Sequence, residues 1–243
     1  PLGTPQAINE SHHVLKRQQT PLVPKLPKPV NIGFTQEIRD IARAVSLFGK
    51  DTVRSFALNI AANECVPINV GPYKISTSGY VEKANKQNAL VVNWLSKIDR
   101  STLALLAPAS FLLDIGKIII SQYLLNHKMD DDFGLALTKI SSYEECEKAV
   151  IGSQSYDVAA TIFHNWKFDS DLVHLVRYCN DPVDAVDEET KQLAKYLKVA
   201  KTAVDFEGKI SKENLQEAYE LIEEFELDRA KFDEAVEKVE AAA

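Results

Sequence analysis

Apolar residues recur at intervals of three and four along most of this chain, which is the pattern of amphipathic helices. The first stripe runs through 35–48 and stops at Gly49, and Asp51 then stands where a second helix needs its N-cap. No segment alternates with a period of two, so the pattern predicts an all-α fold. Further helices are predicted at 83–98, 133–140, 143–150, 156–166, 169–178 and 187–204.

The most apolar stretch, 103–125, has almost no polar face and predicts one buried central helix. Pro108, Ser110, Asp114 and Lys117 interrupt its hydrophobicity, so we expect no membrane insertion. Asp114 and Lys117 stand three residues apart and are close enough on a helix to pair.

The carboxyl-terminal part, 205–243, predicts an acidic helical hairpin packed on the body of the protein. Its two apolar stripes are Leu215, Ala218, Ile222 and Phe225, and then Phe232, Ala235, Val236 and Val239. We interpret the acidic outer face as a solvated surface. A groove for a basic peptide is the alternative.

Residues 1–30 have a different composition. Prolines recur at short intervals, and no acidic residue occurs between Glu10 and Glu37. Such a segment favours an extended, polyproline-like conformation and is typical of a linker. The alternative is a docking peptide. Its apolar anchors would be Leu22, Val23, Pro24, Leu26 and Pro27. The opening Pro1, Leu2 and Gly3 are typical of the remnant of a cleaved tag.

Composition narrows the function classes. The formal net charge of -7 argues against a nucleic-acid-binding surface over the whole molecule. The three cysteines form no CxxC pair, and no basic leader precedes an apolar stretch. We therefore expect a cytoplasmic protein.

Several short motifs stand in order along the chain. They are Gly33-Phe34, Ile38, the run Ala44 to Gly49 leading into Val53-Arg54, the run Leu112-Leu113-Asp114-Ile115-Gly116-Lys117, and Gly152 followed by Trp166. Together they resemble the HDOD family, the HD-related output domain of bacterial signalling proteins. The resemblance implies an HD-domain-like helical bundle over 31–204. The family usually has further helices before the Gly-Phe turn, and the proline-rich segment stands in their place. We therefore expect either a domain that is shortened at its amino-terminal side or a peptide joined to a shortened domain.

The resemblance also locates a metal site to test. Catalytic HD proteins read His-Asp at the central motif and hold a metal with both residues, whereas this chain has Leu113 before Asp114. The other ligand positions of the family fall near Lys86-Gln87, Ser155, Cys179-Asn180 and Lys195. Only Asp114 survives as a relic, and one carboxylate cannot hold a catalytic metal. We predict no catalytic residue, no metal and no cofactor.

The leading hypothesis is a non-catalytic bacterial signal-transduction or scaffold module that binds another protein of a signalling or motility system. A metal-dependent HD-type phosphohydrolase with rearranged ligands is one alternative. A nucleotide sensor without hydrolysis is another, with a cyclic dinucleotide as the less favoured ligand. In that case Lys86, Lys117 or Lys195 would contact phosphate.

Overall fold

The structure is a computed structural model that describes residues 68–95, 100–165 and 168–241. Within these ranges the regular secondary structure is helical, which confirms the all-α prediction. The predicted helix at 35–48, the Asp51 cap, Trp166 and the anchors Leu22, Val23, Pro24, Leu26 and Pro27 lie outside the described residues. The α-helices are α1 (Thr77–Leu95), α2 (Arg100–Leu112), α3 (Ile115–Asn126), α4 (Asp130–Leu137), α5 (Tyr143–Ile151), α6 (Ser155–Asn165), α7 (Ser170–Tyr178), α8 (Glu188–Ala203), α9 (Lys212–Glu224) and α10 (Arg229–Ala241).

Side-chain caps explain where many of these helices begin. Ser142, Asp169, Asp187 and Ser211 each accept a hydrogen bond from a backbone N–H in the first turn of α5, α7, α8 and α9. The start of α1 is earlier than the predicted residue 83. Ser76 Oγ accepts the N–H of Gly79 at 3.0 Å, so a cap outside the apolar stripe begins this helix.

The central apolar stretch is two helices, so the prediction of one continuous helix was wrong. α2 ends at Leu112 and α3 begins at Ile115, with Asp114 at φ -93° and ψ 7° between them. The apolar pattern hides this break because residues on both sides of it are buried. Leu105–Asn126 is long and apolar enough to cross a membrane, but 61% of its most apolar window is buried inside the protein. That burial is typical of the central helices of a bundle.

The carboxyl-terminal hairpin completes the core. α10 packs against α1, and α9 packs against α8. The Trp94 ring meets the rings of Tyr196 and Phe232 edge-on, each with its centroid 4.9 Å away. Phe232 is fully buried, so the predicted apolar stripe of the last helix faces the body as expected.

Gly116 allows α3 and α6 to approach closely. A Cβ added at this position would lie 1.8 Å from the carbonyl oxygen of Ser155. Any side chain here would push the backbone at the start of α6 away. The close packing of α3 against α6 therefore requires a glycine at this position of the central motif.

We expect Gly116→Ala to lower the free energy of unfolding by about 1–3 kcal/mol or more, because the added methyl group overlaps the backbone. Gly134 lies in α4 with nothing within 4 Å of its added Cβ. Gly134→Ala is therefore the matched control, and should stabilise the protein by about 0.5–1 kcal/mol through helix propensity. Urea unfolding of both variants checks this. Equal stability of Gly116→Ala and the unmodified protein would contradict it.

Candidate functional site

Lys117 of α3 is fully buried, and its ammonium group has three acceptors. Nζ donates hydrogen bonds to Glu147 Oε1 at 3.1 Å, to Glu144 Oε1 at 3.3 Å and to Ser155 Oγ at 3.1 Å. These match the three N–H donors of a lysine. The rings of Tyr73, Tyr143, Tyr156 and Phe206 surround Nζ, with centroids between 5.4 and 5.6 Å away.

The charge of Lys117 is stabilised by its neighbours. Burial alone would lower the pKa of Lys117, but the attraction of Glu147, Glu144 and Asp114 outweighs it and raises the pKa above its ordinary value. Lys117 is therefore a fixed buried cation at neutral pH.

Glu147 of α5 accepts hydrogen bonds from three other parts of the chain. Its Oε1 accepts the Tyr73 hydroxyl at 2.9 Å as well as Lys117, and its Oε2 accepts the N–H of Ser155 at 2.6 Å. Ser155 is the first residue of α6, so its N–H has no acceptor within the helix and the Glu147 carboxylate supplies one. The negative charge also lies at the positive end of the helix dipole. Both oxygens of this buried carboxylate are used.

Glu144, one turn earlier on α5, joins Lys117 to a second lysine. Its Oε1 accepts the Tyr156 hydroxyl at 3.1 Å and lies 3.6 Å from Lys201 Nζ. Burial alone would raise the pKa of Glu144, but Lys117 and then Lys201 hold it well below its usual range. Lys201 also donates to Tyr156 Oη at 2.8 Å and to Asn180 Oδ1 at 2.7 Å.

Lys83 of α1 is buried like Lys117. Its Nζ donates to the carbonyl oxygen of Lys201 at 2.9 Å and to that of Val204, so it caps the carboxyl end of α8. It also lies 4.5 Å from the centre of the Phe206 ring. Burial lowers its pKa to about 8 in spite of the attraction of Asp114.

We call Lys83, Lys117, Lys201, Asp114, Glu144 and Glu147 the lysine cluster. Its three formal positive charges cancel its three formal negative charges. A buried charge is tolerated when it is paired and hydrogen-bonded, and this balance supplies the pairing.

The lysine cluster does not fit a metal ion. Leu113 is fully buried and offers no donor atom. Asp114 is buried, and its Oδ1 has no hydrogen-bond partner within the described ranges. The two glutamates already hold Lys117. Over residues 68–95, 100–165 and 168–241, no three His, Cys, Asp or Glu side chains converge closely enough to bind a metal.

The structure separates the three lysines suggested as phosphate contacts. Lys117 is at the centre of the lysine cluster, whereas Lys86 pairs with Glu82 at 3.8 Å and Lys195 donates to Gln192 at 3.2 Å. Asp114 does not pair with Lys117 as its spacing suggested, since Lys117 bonds Glu144, Glu147 and Ser155.

Lys83 and Lys201 were not predicted as site residues from the sequence, although the sequence contains a signal for both. Lys83 follows Tyr80 by three residues and precedes Gln87 by four, and both neighbours are buried on the same face of α1. Lys201 follows the buried Leu197 of α8 by four residues and therefore lies on the same face of that helix. A lysine in line with the buried residues of a helix is therefore the signal.

A cleft of about 930 Å³ opens above the lysine cluster. Its walls include four residues of the cluster and its surroundings: Lys83, Glu144, Tyr156 and Lys201. Further lining comes from the start of α1, the 204–209 loop and the start of α9. Neither Lys86 nor Lys195 lines it. The cleft connects the buried charges to solvent.

We expect Lys117→Met to lower the free energy of unfolding by about 3–5 kcal/mol, because it leaves the buried carboxylate of Glu147 without its cation. Lys86→Met is the matched control, and should cost less than about 0.5 kcal/mol since it removes only an i,i+4 pair with Glu82. Adding Glu147→Gln to Lys117→Met should restore part of the loss. Chemical denaturation measures all three, and equal losses for the two lysine variants would contradict the assignment.

The depressed pKa of Glu144 predicts a loss of stability in acid. A carboxyl with a lowered folded-state pKa stabilises the protein above its unfolded-state value of 4.5 and loses that contribution as the pH falls through the folded-state value. Glu144→Gln should therefore flatten the fall in urea midpoint between pH 7 and about pH 3. Glu145→Gln, an exposed neighbour on the same helix, is the control and should keep the wild-type profile. Identical profiles for Glu144→Gln and the wild type would refute this.

Comparisons with known proteins agree with this architecture. A model of the HDOD domain matches residues 30–182. A virulence factor (cj0248) from Campylobacter jejuni subsp. jejuni has a similar structure, with 26% sequence identity and a TM-score of 0.67, over 84% of this chain and 78% of that protein. Comparison with curated proteins found no match.

Two further solved structures share the fold at 19% identity. A candidate phosphohydrolase from Shewanella amazonensis SB2B has a TM-score of 0.54 over 83% of this chain and 72% of its own length. A candidate signal-transduction protein from Marinobacter aquaeolei VT8 has a TM-score of 0.55 over 79% of this chain and 44% of its own. The family match covers more than half of the sequence and confirms the resemblance of its motifs, so the chain belongs to the HDOD family.

Proposed function

We propose that this chain is a non-catalytic signal-transduction or scaffold module of a bacterial signalling system, and that it acts by binding another protein. The observation that carries the proposal is the buried ammonium of Lys117 between Glu144 and Glu147. A catalytic metal needs several free ligands and an open coordination position for water. Here the carboxylates of Glu144 and Glu147 are bound to a lysine and are not free to act as metal ligands.

The charge balance of the lysine cluster supports the same proposal. A divalent cation near Lys117 would meet a fixed positive charge at close range in a poorly solvated interior. Lys83 and Lys201 add two more ammonium groups around Asp114 and Glu144. The cluster supplies its own cations in place of a metal, and we infer that it maintains the fold.

The context of the proposal comes from the family. The candidate signal-transduction protein from Marinobacter aquaeolei shares this fold, which supports a signalling role. Motility regulation is the first setting in which we would look for the protein partner, and the cytoplasm is the proposed compartment.

A nucleotide sensor without hydrolysis is the second candidate function. The lining of the cleft supports a nucleotide sensor, since Lys74, Lys83, Lys201 and Lys209 line it together with hydroxyl groups of serine and threonine. Glu82, Glu144, Asp205, Glu207 and Glu217 line the same cleft and oppose the binding of a polyanion. This balance makes protein binding the favoured function.

We expect the purified full chain to hydrolyse neither nucleotides nor cyclic dinucleotides when manganese, iron or magnesium is present. Metal-dependent turnover that disappears in Asp114→Ala would contradict the proposal and favour a phosphohydrolase with rearranged ligands. Lys86→Met serves as a control variant, because Lys86 lies outside both the lysine cluster and the cleft.

Calorimetric titration of the same preparation distinguishes the sensor from the scaffold. The scaffold proposal predicts no heat of binding with a panel of cyclic dinucleotides. Saturable binding that Lys201→Met abolishes would establish the sensor instead.

A further inference from the structure

The turn between α7 and α8 presents two apolar side chains to solvent. Val183 is 65% exposed and Val186 is 70% exposed, and they stand three residues apart. Leu135 on α4, at 56%, is the other large hydrophobic residue with a high exposure in the described ranges. A single exposed leucine is ordinary, whereas this turn offers a partner two exposed valines three residues apart. We call residues 181–189 the valine turn.

The valine turn is held in place by its own contacts. Pro182 is buried, and the N–H groups of Asp184 and Ala185 donate to the carbonyl oxygens of Asp181 and Pro182 at 3.1 and 3.2 Å. At the other end of the turn Asp187 caps α8 through Thr190. The valines are therefore presented by an ordered turn, and little conformational entropy is lost when a partner binds it.

The valine turn is also strongly acidic. Its acidic residues, with no lysine or arginine among them, are Asp181, Asp184, Asp187, Glu188 and Glu189. Apolar anchors between carboxylates fit a ligand in which apolar and basic side chains alternate.

The chain itself contains a segment with that chemistry outside the described residues. Residues 16–30 contain Lys16, Arg17, Lys25 and Lys28 and no acidic residue. Leu22, Val23 and Leu26 stand between these basic residues. The recurring prolines favour an extended conformation before binding, which lowers the entropy cost of docking.

The other acidic surfaces fit this segment less well. The outer face of α9 and α10 carries many carboxylates, but none of the exposed large hydrophobic residues lies there. Leu135 has Asp131 and Asp132 nearby on α4, but it offers one anchor instead of two. Charge and apolar spacing together favour the valine turn.

We propose that residues 16–30 dock on the valine turn, with Leu22, Val23 and Leu26 covering Val183 and Val186 while the basic side chains face the surrounding carboxylates. The docking concerns the chain's own segment, so it stands whether the domain is a scaffold or a sensor. A docked segment would cover this surface against other basic peptides.

Zero-length carbodiimide cross-linking of the full chain tests the docking. The reagent joins a lysine amine to a carboxylate as an amide and loses the elements of water, so it reports direct contact. We expect mass spectrometry to find Lys25 or Lys28 linked to Asp184, Glu188 or Glu189. The Val183→Ser, Val186→Ser double variant should reduce these links roughly tenfold, because two apolar contacts are lost. Added salt should reduce them as well.

Leu135→Ser is the matched control and should leave the links unchanged, and thermal unfolding confirms that both variants are folded. Mixing isotopically light and heavy chains shows whether the segment comes from the same copy or a second one, and either origin supports the docking. Links directed mainly to α4 or to α9 and α10, absence of links, or links that persist in the double valine variant would overturn the proposal.

Discussion

A lysine side chain buried without access to water must keep all its donors satisfied, and Lys117 does so by joining three helices. Its own helix, α3, contributes the ammonium, α5 contributes Glu144 and Glu147, and α6 contributes Ser155. The next residue towards the amino terminus, Gly116, lets the backbone of α3 approach that of Ser155 closely enough for these bonds to form. The Gly-Lys pair of the central motif therefore combines a steric requirement with an electrostatic one.

The hydrogen bonds continue from this centre to the surface. Glu144 connects Lys117 with Tyr156 and Lys201, and both of these residues line the cleft. Lys83 then attaches the carboxyl end of α8 to α1. The family match ends at residue 182, and two important residues lie beyond it. Lys201 belongs to the lysine cluster, and Phe232 belongs to the hydrophobic core. The helices after the matched region therefore support the same site.

Local periodicity predicted most helices because each amphipathic stripe depends on neighbours in sequence. The stripes of α7, α8 and the carboxyl-terminal hairpin are buried as their spacing requires. The break before Ile115 was missed because the residues on both sides of it are apolar. The partners of Lys117 lie 27, 30 and 38 residues away, so local spacing favoured Asp114 wrongly. The leucine in front of Asp114 could be read from the sequence, whereas the buried ion pairs of Lys117 with Glu144 and Glu147 could not.

We propose that the carboxylates of Glu144 and Glu147 hold the Lys117 ammonium in place of a metal ion. Crystals of the full chain grown with manganese provide the most direct test, through the anomalous scattering of the metal. We predict no anomalous peak among Asp114, Glu144 and Glu147, and a Lys117 ammonium in contact with both glutamates. A manganese peak coordinated by these carboxylates, with Lys117 displaced from them, would contradict the account.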